Sequence, residues 1–351
     1  MKKICSGMSK VFLPATARSI LITCRVFDRY MPPHNFSQQE ILQLSLIRGM
    51  TASALRKVIE HYKEPAVIAD STPEFFLAAK IKSLAFEALQ DFGAYEEQAQ
   101  QQVALASKHG VRLVTFWDDE YPAALREIYN PPAFIFVRGT LLPEDRYAIA
   151  VVGTRGMTDY GRRMTENFSR EFVEHGVTVV SGLARGVDSV AHAAALKHSG
   201  RTYAVVASGI DVIAPQLSKQ LAEKISRNGA VISEYKMGVK ALPPYFPQRN
   251  RIISGVSMAT LVVESAVDGG AMITAGFALD QNRGIFALPG KATDQKSSGT
   301  NMLIKESRAK LVTCAQDVLQ ELGITQRKVA VRSAAEIPEN ISLFEKKVLD
   351  A

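Results

Sequence analysis

YAIAVVGTRGMTDYGRRMTENFSREFVEHGVTVVSGLARGVDSVAH, Tyr147 to His192, is the stretch that decides the fold. An unbroken apolar run at 147–152 enters a glycine-bearing turn. A helix-period segment, GRRMTENFSREFVEH, then leads to a second apolar run at 177–181. Another glycine turn and another helix opening follow. Strands that are apolar at every position are buried on both faces, as parallel strands are when crossover helices cover them. The pattern continues downstream, where TYAVVA (202–207), AVISE (230–234), ATLVVE (259–264) and GIFAL (284–288) are joined by helical segments such as SVAHAAALKHS, LSKQLAEKISRN and AMITAGFALDQN. An α/β fold with a helix-covered parallel sheet is expected. Its ligand belongs at the carboxyl ends of the strands, where the loops converge.

Working outward, VRLVTFW and NPPAFIFVRG read as two further strands ahead of this unit. From Ser37 to about residue 107 the chain is helical. Ser37 and Glu40 have capping-box spacing, Thr51 or Ser53 opens a second helix after Gly49, and Ser71 or Thr72 precedes Pro73 at a later helix start. Residues 37–107 are expected to form a small all-helical domain and 108–323 the α/β domain. Residues 1–36 read as a poorly ordered extension, with Met8 and Met31 as alternative starts. Lys10, Arg18 and Arg25 break the apolar character that a signal peptide would need.

Hydrophobic residues make up 47% and charged residues 22% of 351, the balance of a folded globular chain with more than one domain. The net charge of +7 tilts the choice of partner toward a polyanion. Cys5, Cys24 and Cys314 are far apart and give neither CxxC nor metal-ligand spacing. That favours a reducing, cytoplasmic setting and no metal. No apolar run is long enough to span a bilayer, so no membrane partner is expected.

The loops after the strands are unusual. The first carries Gly153, Thr154, Arg155 and Gly156 before a helix from about Asp159. Glycines let a backbone approach an anion, the coming helix points amides at it, and a simple turn has no need of an arginine. The second carries Ser181, Gly182 and Gly186, with Asp188 able to cap a helix that bears His192 four residues on. Asp188 and His192 read as a pair that fixes this loop. A nicotinamide site would place an acid near Ser181 and Gly182 for the ribose hydroxyls, and none is there. The third loop leads to a helix with Lys219 and Lys224, of which one can reach a phosphate. Glu264 ends the fifth strand and reads as a loop-positioning residue. The stretch YFPQRNRIISG, Tyr245 to Gly255, reads as a loop. It offers Gln248, Arg249, Asn250 and Arg251, whose guanidinium groups are permanently charged planar forks suited to phosphates or base faces. Either Arg249 or Arg251 faces the ligand, while the other is free to pin Glu264.

Catalytic constellations are missing. No GxSxG elbow, HExxH or placed cysteine occurs. GIFALPGK has five residues between Gly284 and Gly290 and Ala292 where a P-loop needs Ser or Thr. A binding protein without cofactor is expected. The alternative is a Rossmann-type nucleotide enzyme such as a phosphoribohydrolase of the lysine-decarboxylase-like group, although AVDGGAMIT lacks the PGGxGT pattern and Glu264 precedes the glycines.

Taken together and in order, VVGTRGMTDYG, SGLARGVDSVAHAAAL, GAVISEY, FPQRNRIISGVSMATLVVE, GGAMITAGFAL, ALPG and SSGTNMLIK resemble the DNA-processing protein A (DprA, or Smf) family over about residues 110–322. The resemblance implies an extended Rossmann-like fold and a basic pocket for single-stranded DNA. It also implies a homodimer that loads RecA recombinase onto incoming strands during natural transformation. The helical region resembles the family's sterile-alpha-motif (SAM)-like domain. By carry-over, Arg155, Arg249 and Arg251 match DNA-contacting positions. The phosphates would lie on the amides of Gly153–Gly156 and Ser181–Gly186. The sequence departs from the family pattern at Ala214–Pro215 and at Gly269, Gly270 and Ala271, losing a hydroxyl at each place. Residues 324–351, ending in LFEKKVLDA, read as a linker and the truncated start of a winged-helix domain. The dimer surface is expected within the apolar segment 260–290.

Overall fold

The computed structural model describes residues 34–213 and 215–324. The expectations for the extension before residue 34, for Ala214 and for the segment after residue 324 lie outside these residues. The sheet has nine strands: β1 (Arg112–Thr115), β2 (Phe134–Gly139), β3 (Ala148–Val152), β4 (Thr178–Ser181), β5 (Thr202–Val205), β6 (Gly229–Ser233), β7 (Ala259–Val262), β8 (Gly284–Ala287) and β9 (Lys310–Leu311). Their spatial order is β1-β2-β6-β5-β4-β3-β7-β8-β9. From β6 to β9 every pairing is parallel, while β1 with β2 and β2 with β6 are antiparallel. The chain moves outward from β3 in one direction through β4, β5 and β6, then returns to the other side with β7. The strand order therefore reverses between β3 and β7, where the loops that follow the two strands are joined by the Thr154 amide donating to Glu264 O at 2.8 Å.

Both faces are buried, as the unbroken apolar strands predict. Ile149 and Val151 of β3 join one core with Phe168, Phe172 and Ala191; Ala148, Ala150 and Val152 join the other. Period-two alternation sends neighbouring residues to opposite sides, so only an all-apolar strand satisfies both cores. The first core is covered by α7 (Asp159–Glu174) and α8 (Val187–Lys197). Thr158 caps α7 by accepting from the Gly161 amide at 3.1 Å, and Phe168 and Phe172 line its inner stripe. Burying two such rings contributes on the order of 4–6 kcal/mol. The opposite core is covered by α9 (Gln216–Ile225), α10 (Tyr245–Gly255) and α11 (Gly270–Asp280).

The N-terminal region is helical: α1 (Gln38–Leu46), α2 (Ala52–Tyr62), α3 (Pro73–Ala78), α4 (Ser83–Leu89) and α5 (Glu96–Lys108); a single turn, α6 (Ala123–Arg126), lies between β1 and β2. Ser37 and Glu40 form the reciprocal capping box that their spacing predicts, at 3.2 and 2.7 Å. Thr51 caps α2 through the Ala54 amide at 3.1 Å. The apolar faces of these helices, with Ile41, Leu44, Leu55 and Ile59, continue into the second core of the sheet domain. Arg56 of α2 lies 5.0 Å over the Phe116 ring, just beyond β1. Among the described residues, no helix is long and apolar enough to cross a membrane.

The sequence stretch at Tyr245 corrects one expectation. YFPQRNRIISG is the helix α10, not a loop. Pro247 falls in the first turn, where an amide has no intrahelical acceptor and its loss costs little. Ile252 and Ile253 then anchor the helix in the core.

Candidate functional site

A cleft of about 630 Å³ opens at the carboxyl edge, above the loops that follow β3, β4 and β5. Arg155, Gly182, Leu183, Arg185, Phe246 and Arg249 form much of its lining.

The loop after β3 is built on Glu264, which is 1% exposed. Its carboxylate accepts from the Thr158 amide at 2.8 Å and from the Thr158 hydroxyl, and its main-chain carbonyl accepts from the Thr154 amide at 2.8 Å. The Gly156 amide turns inward to the Thr154 hydroxyl at 3.2 Å. Gly153 is held so closely that an added Cβ would lie 2.5 Å from Val187 Cγ2. With its base fixed, the loop projects an exposed Arg155 over the face of Phe246, 5.8 Å from the ring centroid. Neither Arg249 nor Arg251 pins Glu264, contrary to the sequence expectation.

The loop after β4 is organised from within. The Ser181 hydroxyl is buried and donates to Val151 O at 2.6 Å. Asp188, second residue of α8, accepts from the Gly182 and Ala184 amides at 3.1 and 3.4 Å. Gly186 has φ +91°, and a Cβ there would lie 2.3 Å from Thr154 O, so only glycine lets the two loops meet. Arg185, at the exposed tip, lines the cleft. The expected pairing of Asp188 with His192 does not form. His192 is fully buried, and its Nδ1 lies 2.7 Å from Thr202 Oγ1. Thr202 donates its own proton to Val179 O at 2.7 Å, so His192 Nδ1 is the donor to Thr202. Burial, then the Arg249 charge, push the imidazole down to about 3.

Arg249 and Arg251 have separate surroundings because residues two apart on a helix are about 200° apart around its axis. Arg249 is 4% exposed and reaches under the cleft to donate to Gly182 O at 2.9 Å and to Val205 O. Burial lowers its pKa to about 10, opposed by the Asp188 charge, so it remains a cation at neutral pH. Burial likewise raises Asp188, against the pull of Arg249. An added Cβ on Gly182 would lie 2.7 Å from Arg249 Nη2 and 2.8 Å from Asp188 Oδ2, so glycine there makes room for both. Arg251 faces away, pairing with Glu234 and donating to Asn130 O at 2.9 Å. Asn250 links the Arg249 Nε–H at 3.2 Å to Gly270 O at 3.4 Å. Gln248 is exposed beside the Tyr235 hydroxyl, and Lys219 is exposed on α9, outside the cleft lining.

The structure thus gathers Gly182, Arg155 and Arg249 at one cleft and leaves Lys219 and Arg251 out of it. Arg185 is a functional candidate that the sequence reading omits, and Phe246 joins it in the cleft lining. The reasoning applied to Arg155, an arginine in a tight glycine loop, applies equally to Arg185 in SGLARG.

A family model described as DNA recombination-mediator protein A matches residues 112–323, more than half of the chain. DNA processing protein DprA of Bacillus subtilis is 38% identical over 222 residues, covering 63% of this chain and 74% of that protein. The structure of DNA processing protein A from Streptococcus pneumoniae superposes with a TM-score of 0.71 at 32% identity, covering 82% of this chain and 98% of that one. A structure of DNA processing protein A from Helicobacter pylori, described for its single-stranded DNA binding mode, matches with a TM-score of 0.55 at 26% identity, over 60% and 95% of the two chains.

Proposed function

The chain belongs to the DNA recombination-mediator protein A family, and from that premise we propose that it binds single-stranded DNA in the cleft above β3, β4 and β5. A part in processing DNA for recombination follows from the membership itself. The observation that carries the finer reading is the convergence of two exposed arginines, Arg155 and Arg185, from successive strand loops, with Phe246 beneath the first. Two exposed cations beside an aromatic face suit an irregular polyanion whose bases are free to stack. The resulting affinity is sequence-tolerant and salt-sensitive.

In this reading Glu264, Asp188 and His192 are positioning residues, and Arg249 is a buried charge at the floor of the cleft. The helical segment 37–107 is a SAM-like module ahead of the DNA-binding domain at 108–323. Loading of RecA recombinase, homodimerisation and a cytoplasmic place of action during DNA uptake complete the proposal; their support is the family resemblance. Binding rather than turnover is the proposed activity, because among the described residues the cleft gathers cations and an aromatic ring without a nucleophile beside a base.

The test is a titration with single- and double-stranded oligonucleotides over a salt series, set beside thermal stabilisation by nucleoside monophosphates. Preferred, salt-dependent binding of single strands is the expected result. Monophosphate binding with turnover and no retention of DNA would favour a nucleotide enzyme and overturn the proposal.

A further inference from the structure

The segment after β6, residues 234–244, contributes Ala241 to the wall of the cleft and leads directly into Phe246, which lines it at the start of α10. The base of this wall is tied from two sides. Within the sheet domain, Gly238 N donates to both carboxylate oxygens of Asp211, at 2.9 and 3.0 Å, and Gly209 N donates to Val239 O at 2.8 Å. The other tie comes from the helical region. Gln102 of α5 forms a reciprocal pair with the Met237 backbone: Met237 N donates to Oε1 at 2.9 Å, and Nε2 donates to Met237 O at 3.3 Å. One residue earlier, Lys236 Nζ donates to Ser45 O at 3.0 Å. Ser45 lies in the last turn of α1, where carbonyls lack helical partners and the helix dipole favours a cation. The Met237 side chain is 3% exposed, so the contact is packed as well as hydrogen-bonded.

We infer that the helical region is a positioning element for the nucleic-acid cleft, with Gln102 and Lys236 setting where the wall at 241–246 stands and hence how Phe246 meets Arg155. A side chain that pairs with both backbone groups of one residue fixes it as a sheet neighbour would, and a pre-placed wall lowers the ordering cost of binding. The inference rests on the cleft being the single-strand site.

The test uses the full chain, an oligo-dT probe over a salt series, and amide hydrogen exchange across 235–246. Gln102→Ala should weaken binding about fivefold through lost preorganisation and speed exchange across the wall. The salt slope should not change, since no phosphate contact is removed. Gln102→Glu, which keeps the acceptor for Met237 N but sets a carboxylate against Met237 O, should behave alike. It serves as the readout if the alanine variant is poorly folded. Unchanged affinity with faster exchange would overturn the coupling. Lys236→Met should weaken binding at constant slope. A slope reduced by about 0.7, the value for one single-strand phosphate, would make Lys236 a direct contact and overturn its positioning role. Failure of the unmodified chain to bind any oligonucleotide is a different result, which sinks the proposed function and this inference with it.

Discussion

Arg155 and Arg185 should control the salt dependence of binding, whereas Arg249 and Arg251 should control stability. Both of the first pair are exposed at the cleft mouth. The other two already hold protein partners: Arg249 the carbonyls of Gly182 and Val205, Arg251 the carboxylate of Glu234 and the carbonyl of Asn130. Each single-strand phosphate neutralised contributes about 0.7 to the log–log salt slope, so Arg155→Ala with Arg185→Ala should remove about 1.4. Over a fourfold rise in salt, 0.6 of a log unit, that difference amounts to about a sevenfold smaller loss of affinity than in the unmodified chain. The defect of the double variant is therefore greatest at low salt and shrinks as salt rises. Arg249→Ala leaves two carbonyls and Asp188 without their cation, and should destabilise the fold by about 3–5 kcal/mol. Arg251→Ala should cost about 1 kcal/mol, because its pair keeps partial contact with solvent. Fluorescence anisotropy of a labelled oligonucleotide gives the slopes, and urea melts give the stabilities. A full slope in the Arg155/Arg185 variant, together with a reduced slope in a still-folded Arg249 or Arg251 variant, would reverse the assignment.

The buried imidazole gives a pH signature. His192 titrates at about 3 in the folded chain, below its ordinary 6.5, so between those values the unfolded chain binds the extra proton. Stability should be constant in this respect above pH 6.5 and fall on acidification below it, by up to about 1.4 kcal/mol per pH unit. Asp188, raised by burial, contributes in the opposite sense at the acid end. His192→Gln should flatten the loss between pH 4 and 6.5 in denaturant melts, and an unaltered profile would remove His192 as its source. Glu264→Gln replaces one of two acceptors facing Thr158 with a donor, and should destabilise by about 1–3 kcal/mol. It should also weaken oligonucleotide binding by loosening the Arg155 loop; full affinity in a destabilised variant would show that the loop holds its place without the carboxylate.

The sheet was legible because its signal is local and redundant. Each apolar strand predicts its own burial on two faces, and six of them in alternation with helices leave little choice of architecture. The helical start at Ser37 was legible for the same reason, since a capping box lies within four residues. What the sequence concealed is pairing at a distance. Thr158 and Glu264 are 106 positions apart, and His192 meets Thr202 across two elements. A carboxylate and a histidine four apart on a helix make a plausible pair until the sheet supplies a nearer partner. The YFPQRNRIISG stretch misled through its proline, whose effect depends on whether it falls in the first helical turn or beyond it. Once the stretch is helical, a two-residue spacing separates Arg249 from Arg251, and their shared role as a loop dissolves.

That separation bears on how the cleft can hold an anion. Glycine-rich loops before helices invite the expectation of phosphates on backbone amides. Here the amides of Thr154, Gly156, Thr158, Gly182 and Ala184 already have acceptors, supplied by Glu264, the Thr154 hydroxyl and Asp188. Three buried or half-buried residues, Glu264, Asp188 and Thr154, thus supply acceptors at positions that a nest for a single phosphate would leave open. The glycines serve a different purpose, letting loops approach within van der Waals limits so that Gly186 meets Thr154 and Gly182 meets Arg249. On the proposed reading, recognition falls to the long, exposed side chains of Arg155 and Arg185 on a rigid base. An amide nest would fix one phosphate in one geometry and tolerate salt. Arginines on stems can follow a backbone of variable course, at the cost of being screened by salt. On the proposed reading, sequence-tolerant binding of single strands is better served by the second arrangement, and the salt slope, rather than affinity at one condition, is the quantity that tests this cleft.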